Sequence, residues 1–335
     1  MAATIAVGAG SMYRSSPVTD LMTAVKTEIG ANILVQGDPG TGKTTMLAKL
    51  SGKYKLFVVC TSPNMQLLVQ QATNPANIQV AQIKDPGVVI RNGAVALDQP
   101  GNRPIAWPRI EALTQRWSPD VPPYNEWDES YVLAVDDVTA LGDDQDSPAR
   151  VQALYTANKL GVIPGPSDNM RITGEAGGLV TRWLQSFLNR SNRRFHVIVN
   201  VHLKRLSYDV GRYLEPEEIK SRAKKGEAHK LPMDSISTYE KYPVVCGRAP
   251  SETFLKNFTW AVHVVREGGV PVCYITPKTP DWDVRLRTPL GPKHPFMGSG
   301  GYRLGVNFSG DTALENILAA HLELFGNKSQ ETKTT

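Results

Sequence analysis

Cysteine is scarce: the 335 residues hold three, Cys60, Cys246 and Cys273, far apart and without a C-x-x-C pair. That spacing excludes a disulfide framework and a structural zinc site, and it predicts a reducing, cytoplasmic compartment. No run of roughly 18 apolar residues exists, so no membrane span is predicted. The opening residues MAATIAVGAGSMYR lack a basic stretch followed by a long apolar core, which predicts no signal peptide. Aromatic residues are few at 7 %, and the six tryptophans and eleven tyrosines form no stacking series. Trp107, Trp117, Trp127 and Trp183 are therefore expected in core or lid packing, not on a nucleic-acid platform. Repeats and low-complexity tracts are missing as well. With 41 % hydrophobic and 21 % charged residues, what remains is the balance of a globular chain, long enough for one large domain or two modest ones.

Charge is unevenly placed. Residues 1–167 carry 13 Lys/Arg against 15 Asp/Glu, whereas residues 168–335 carry 24 against 17. The segment 182–230 alone holds 12 basic and 5 acidic residues, a surplus that exceeds the net charge of +5 for the whole chain. A local basic surplus is the footprint of a polyanion binder. Glu215, Glu217 and Glu218 are interleaved with it, so a solvated, mixed-charge surface is the competing reading.

Periodicity gives a coarse map. Ser16-Pro17 before Val18, Leu21, Met22 and Val25 reads as the start of a helix that Gly30 ends. Strands are predicted at 32–36, 56–60, 131–137, 195–202, 260–265 and 270–275, and helices at 46–51, 177–188 and 313–325. Residues 85–130, rich in Pro, Gly, Asn and Asp, read as a surface excursion with one helix-like patch at 108–117. Residues 203–242 read as a polar, mobile insertion, and the tail after Gly326 as frayed. Apolar strands alternating with helices predict an α/β fold, a three-layer sandwich around a mostly parallel sheet.

One motif is specific. Gly37-Asp38-Pro39-Gly40-Thr41-Gly42-Lys43-Thr44 matches G-x-x-x-x-G-K-S/T in full, and Thr45 follows. The pattern arises by chance in roughly one chain of this length per hundred. Here it also follows an apolar strand and opens a helix. Glycines let backbone N–H groups wrap a phosphate, Lys43 reaches the β- and γ-phosphates, and the Thr44 hydroxyl is placed to ligate Mg²⁺. These residues form the candidate ATP site, a P-loop.

Such a loop needs an acid at the end of a neighbouring strand. Asp136, after Val132-Leu133-Ala134-Val135, is the candidate that helps Thr44 hold the ion. Asp137 either orients or deprotonates the attacking water, or is a strand-end cap; Glu28 and Glu129 are the alternative bases. Asn200 and His202 share one face of their strand, and a polar residue there can sense the γ-phosphate; the alternative for His202 is a structural role. Arg248, Arg285 and Arg287, near predicted strand ends, are candidates to act on a neighbouring subunit's nucleotide, each with an ordinary surface role as the alternative. Lys204, Arg205, Arg222, Lys224 and Lys225 are the candidate nucleic-acid contacts.

The segments GDPGTGKTT, YVLAVDDVTAL, HVIVNVH, YPVVCGRAPSETFLKNFTWAVHVV and YITPKTPDWDVRLRTPLG occur in that order. In this order the chain resembles the phage-encoded P-loop ATPases of RecA-like type, some of which are single-strand annealing or recombination proteins. The likeness covers most of residues 30–290, and the P-loop alone is specific. It implies a RecA-like domain at 17–290 with insertions at about 85–130 and 203–242. It leaves an N-terminal extension at 1–16 and a C-terminal extension at 291–335. It also implies ATP hydrolysis with Mg²⁺, coupled to single-stranded DNA in the host cytoplasm, with subunits in a ring or filament. Lys43, Thr44 and Asp136 would take the nucleotide roles, and Arg285 and Arg287 resemble the basic residues such proteins place near the nucleotide. Thr61-Ser62-Pro63-Asn64 offers no glutamate where RecA-like enzymes often keep their base, which leaves Asp137 as the stand-in. The alternative of another class is a nucleotide-dependent assembly or motor component of a virus particle with slow turnover. A small-molecule kinase would need a lid and an acceptor pocket, and no motif for either is visible.

Overall fold

Short runs of β-branched and aromatic residues set the frame of the molecule. The structure, a computed structural model, describes residues 30–61, 65–85, 90–91, 94–95, 103–142, 147–159, 168–190, 192–213, 233–244, 254–279, 284, 286–290 and 304–326. The first strands are β1 (Asn32–Gln36), β2 (Lys55–Cys60) and β3 (Ile78–Gln82). A two-residue pair follows, β4 (Ile90–Arg91) and β5 (Ala94–Val95). Next come β6 (Tyr131–Asp136), β7 (His196–Val201) and a long hairpin of β8 (Leu203–Tyr213) and β9 (Met233–Pro243). The last strands are β10 (Trp260–Glu267), β11 (Val270–Tyr274) and β12 (Asn307–Ser309). The helices are α1 (Lys43–Lys49), α2 (Met65–Gln71), α3 (Ala106–Ala112), α4 (Val138–Gly142), α5 (Pro148–Lys159), α6 (Asp168–Leu188) and α7 (Ala313–Phe325).

Eight strands form one sheet in the order β12-β11-β10-β1-β7-β6-β2-β3. The pairs from β10 to β3 are all parallel, and β11 runs against both of its neighbours. Side chains alternate across the sheet. Ile33, Val35, Val58, Ala134, Ile198 and Val262 pack against Met46, Leu47, Leu68, Leu314 and Leu318 of α1, α2 and α7. Leu34, Val59, Leu133, Val135, Val197 and Val199 face the other way, onto Trp107, Ile110, Leu141, Leu154, Trp183 and Phe187 of α3 to α6. Helices thus cover both faces of a mostly parallel sheet, the three layers expected from the sequence. Among the described residues no helix is long and apolar enough to cross a membrane.

Two expectations are corrected. Within 85–130, expected as a surface excursion, Trp107, Ile110, Tyr124 and Trp127 are buried. Trp127 packs on Phe57 (ring centroids 4.5 Å), Tyr131 (4.9 Å) and Phe195 (5.2 Å), so this stretch supplies much of one core layer. Among its described prolines Pro119 lies in a turn, while the few large aromatics do the burying. The helix inside it is Ala106–Ala112 rather than 108–117, with the Asp85 carboxylate accepting from the Ile105 and Ala106 N–H groups, both at 2.7 Å. The insertion at 203–242 contains a regular hairpin of eleven paired positions. Mixed charge masked its strand pattern. Trp107, Trp127 and Trp183 are core residues, as expected, and Trp117 packs against them. The helix at 16–30, Glu28, Cys246 and the tail beyond Gly326 lie outside the described residues.

Candidate functional site

Parallel strands bring their carboxyl ends to one edge, where crevices form. The register aligns Gln36 of β1 with Val201 of β7, and Cys60 of β2 with Asp136 of β6, so Gly37, Asp137 and His202 all emerge at that edge. Between β1 and β10 the turn out of β1 is too tight for any residue but glycine. A Cβ at Gly37 would stand 2.6 Å from the Val264 carbonyl oxygen and 2.9 Å from Thr41 Oγ1. Gly42 enters α1 with φ +104°, in the left-handed region, and a Cβ there would meet Pro271 at 3.0 Å.

The loop closes on Lys43. Its Nζ donates to the carbonyls of Gly37 (2.7 Å) and Asp38 (2.9 Å) and stands 3.3 Å from His202 Nδ1. Burial lowers its pKa to about 8, and the charges of Asp137, Asp136 and Asp38 work against that shift. Thr44 Oγ1 donates to Asp136 Oδ2 (2.9 Å), and Asn200 Nδ2 donates to Asp136 Oδ1 (2.9 Å). Burial pushes the Asp136 carboxyl upward, the Asn200 and Thr44 hydrogen bonds oppose it, and Asp137 adds to it.

The peptide bond between Asp136 and Asp137 is cis. Burial alone would raise the Asp137 carboxyl too, but the hydrogen bond and charge of His202, the Ala140 N–H and Lys43 outweigh it, leaving it below the usual carboxylate range. Asp137 Oδ2 lies 3.0 Å from His202 Nε2, and Oδ1 accepts from the Ala140 N–H at 2.9 Å. His202 therefore spans Lys43 and Asp137. Its backbone also fixes the root of the β8–β9 hairpin. The His202 N–H donates to Thr139 Oγ1 (2.9 Å), Thr139 Oγ1 donates to the Val244 carbonyl (2.9 Å), and the Val244 N–H donates to the His202 carbonyl (2.8 Å).

A cavity of about 340 Å³ opens over these groups, lined by loop residues from Pro39 to Thr45, by Leu67, Asp136, Asp137 and His202, and by Arg266. The structure thus brings Gly37, Lys43, Thr44, Asp136, Asp137, Asn200 and His202 together, with Pro39, Gly40, Gly42 and Thr45 at the mouth. Asp38 and Thr41 shape the loop, Thr41 Oγ1 donating to the Asp38 carbonyl at 2.9 Å. Glu129 is not part of it: at the far end of β6 its carboxylate pairs with Arg194 at 2.7 Å. Arg287 also sits at the opposite edge, bonded through its backbone to Ala261 and donating to the Lys256 carbonyl at 3.0 Å. Arg248, Arg285, Arg222, Lys224 and Lys225 lie outside the described residues; Lys204 and Arg205 lie on β8. Sequence reasoning missed Arg266 and Thr139. The signal for Arg266 is topological, since only the pairing of β10 with β1 places its carboxyl end beside the loop.

No family model matches the chain, and no curated protein matches it in sequence.

Proposed function

We propose that this protein is a RecA-like P-loop ATPase that binds and hydrolyses ATP with Mg²⁺ and couples the cycle to single-stranded DNA, in phage replication or recombination. The observation that carries the reading is the Lys43–Thr44–Asp136 arrangement. A lysine is folded back into a glycine-rich loop, and the next hydroxyl meets a buried strand-end carboxylate at 2.9 Å. The strand order adds support, because β7 stands between the loop strand and the acid strand and presents Asn200 to Asp136.

Thr44 Oγ1 and Asp136 are hard oxygen donors, and burial alone disfavours the charged carboxylate, a cost that a divalent cation offsets. The set fits Mg²⁺, which commonly takes one or two protein oxygens and completes its shell with phosphates and water. When bound, the ion would neutralise charge on the transferring phosphate. Asp137, held ionised and hydrogen-bonded, is a weak base, so its role is to orient the attacking water. Asn200 would sense the γ-phosphate and His202 would pass its loss to the hairpin. The basic surplus of 182–230, including Lys204 and Arg205, would meet DNA phosphates, and DNA affinity would then fall steeply with salt. Subunits in a ring or filament would bring an arginine to the neighbouring site, with Arg248, Arg285 and Arg287 as candidates.

One observation favours a second reading, a nucleotide-dependent assembly protein with slow turnover: both Asp137 oxygens are already engaged, by Ala140 and His202. The test is ATP hydrolysis with and without single-stranded DNA, on wild type and Lys43→Ala. Several-fold stimulation by DNA with a dead variant supports the recombination-type ATPase. Slow turnover indifferent to DNA, with nucleotide changing the oligomeric state, supports the assembly switch. Turnover that survives Lys43→Ala refutes both.

A further inference from the structure

An ammonium carries three N–H bonds. Two of the three Lys43 donors go to main-chain carbonyls, and the third faces His202 Nδ1, an acceptor when the ring proton sits on the Nε2 that meets Asp137. Any anionic ligand entering the cavity must compete with these partners, so a lysine so committed is a poor sole counter-charge for a polyphosphate.

Arg266 is differently placed. It lines the same cavity and is exposed. Of the five guanidinium N–H bonds, the Nε–H is given to the Gly269 carbonyl (2.9 Å), and among the described residues the others meet no acceptor. Its neighbour Glu267 does not neutralise it, because that carboxylate already takes Lys278 and the Tyr274 hydroxyl, both at 2.8 Å. Its position is fixed. β10 and β11 are joined by the two residues Gly268 and Gly269, and Arg266 stands opposite Pro271, the side chain that abuts Gly42 at the mouth of the loop. The β10–β11 hairpin therefore places a charged, largely uncommitted guanidinium on the β10 flank of the loop, while Asp136, Asp137 and His202 hold the β6 and β7 flank.

We infer that Arg266 is the second phosphate-binding cation of this site and that it meets the phosphates shared by ATP and ADP. The inference rests on the nucleotide reading given above. The terminal phosphate belongs to the flank of Thr44, Asp136 and Asn200, where the ion would sit. The preceding phosphates pass along the loop toward β10, where a planar fork can take two oxygens at once.

The test is calorimetric titration of wild type, Lys43→Ala, Arg266→Gln and Arg266→Lys with Mg-ATP and Mg-ADP at one ionic strength. Thermal melts check that the exposed Arg266 variants remain folded. Arg266→Gln is expected to weaken both nucleotides equally, on the order of tenfold, and Arg266→Lys, which keeps the charge without the fork, to fall between. Unchanged binding of both nucleotides by Arg266→Gln overturns the inference, and so does a loss confined to Mg-ATP. Wild type that binds neither nucleotide overturns the proposed function itself. Wild type that binds, beside a Lys43→Ala variant that does not, leaves the result at Arg266 to decide this inference alone.

Discussion

Acidification tests the far edge of the sheet. His196 opens β7 with no exposed surface, its Nδ1 accepting the Ala31 N–H at 3.0 Å. Burial lowers its pKa to about 3, with the nearby His321 and Arg193 charges acting the same way and the Glu129 backbone against them. The unfolded chain takes up a proton at the ordinary histidine value of 6.5, and the folded chain does so only near 3. Between those values the unfolded state holds the extra proton, so stability falls as pH falls. From pH 7.5 to pH 5 this one residue costs about 2 kcal/mol, and near pH 3 roughly 4 kcal/mol. The assay is urea denaturation of wild type and His196→Asn at pH 7.5, 6 and 5. The asparagine keeps an acceptor for the Ala31 N–H and removes the titration. The variant should lose about 2 kcal/mol less than wild type between pH 7.5 and 5. Parallel stability-versus-pH lines for the two proteins would show that His196 takes up its proton in the folded state, and the reasoning would fail.

Two further outcomes follow from close contacts. Gly37→Ala drives a methyl group against the Val264 carbonyl, so a loss of roughly 1–3 kcal/mol in urea unfolding is expected together with lost Mg-ATP binding; a stable variant that binds as wild type would refute the contact argument. Trp127→Ala empties the centre of the Phe57, Tyr131 and Phe195 cluster, and a loss of about 3–5 kcal/mol is expected in the same assay; a change under about 1 kcal/mol would mean that this stretch does lie on the surface.

Much of the site was legible because its chemistry is local. The loop from Gly37 to Thr44 is contiguous, Asp136 ends an unbroken apolar run, and Asn200 and His202 follow from the two-residue repeat of a strand. Strand order is not local, and what depends on it stayed hidden. Arg266 lies 230 residues beyond Gln36, a separation that no spacing rule reads, and Glu129 passed as a candidate base although it precedes β6, whose opposite, carboxyl end faces the loop. The segment at 85–130 was misread for a different reason. Composition averages over its Pro, Gly and Asp residues, but three aromatic side chains, Trp107, Tyr124 and Trp127, decide where it packs. α5 was missed because Pro148–Lys159 shows almost no one-sided apolar stripe, its alanines burying on several sides. α7, with a strong stripe, was read residue for residue.

The root of the β8–β9 hairpin has a mechanical consequence. Eleven paired residues make an arm about 37 Å long on a base about 4.8 Å wide, the spacing of two strands. One side of that base is His202, which bonds Asp137, and the other is Val244, which Thr139 holds. For a stiff arm the ratio of length to base sets the gain, here roughly eightfold. Sliding one root strand past the other by about half an ångström would swing the far end at Tyr213 by about 4 Å. A change at the site too small to disturb the sheet would, through an arm that stayed stiff, reach the hairpin tip as a stroke nearly the width of a strand.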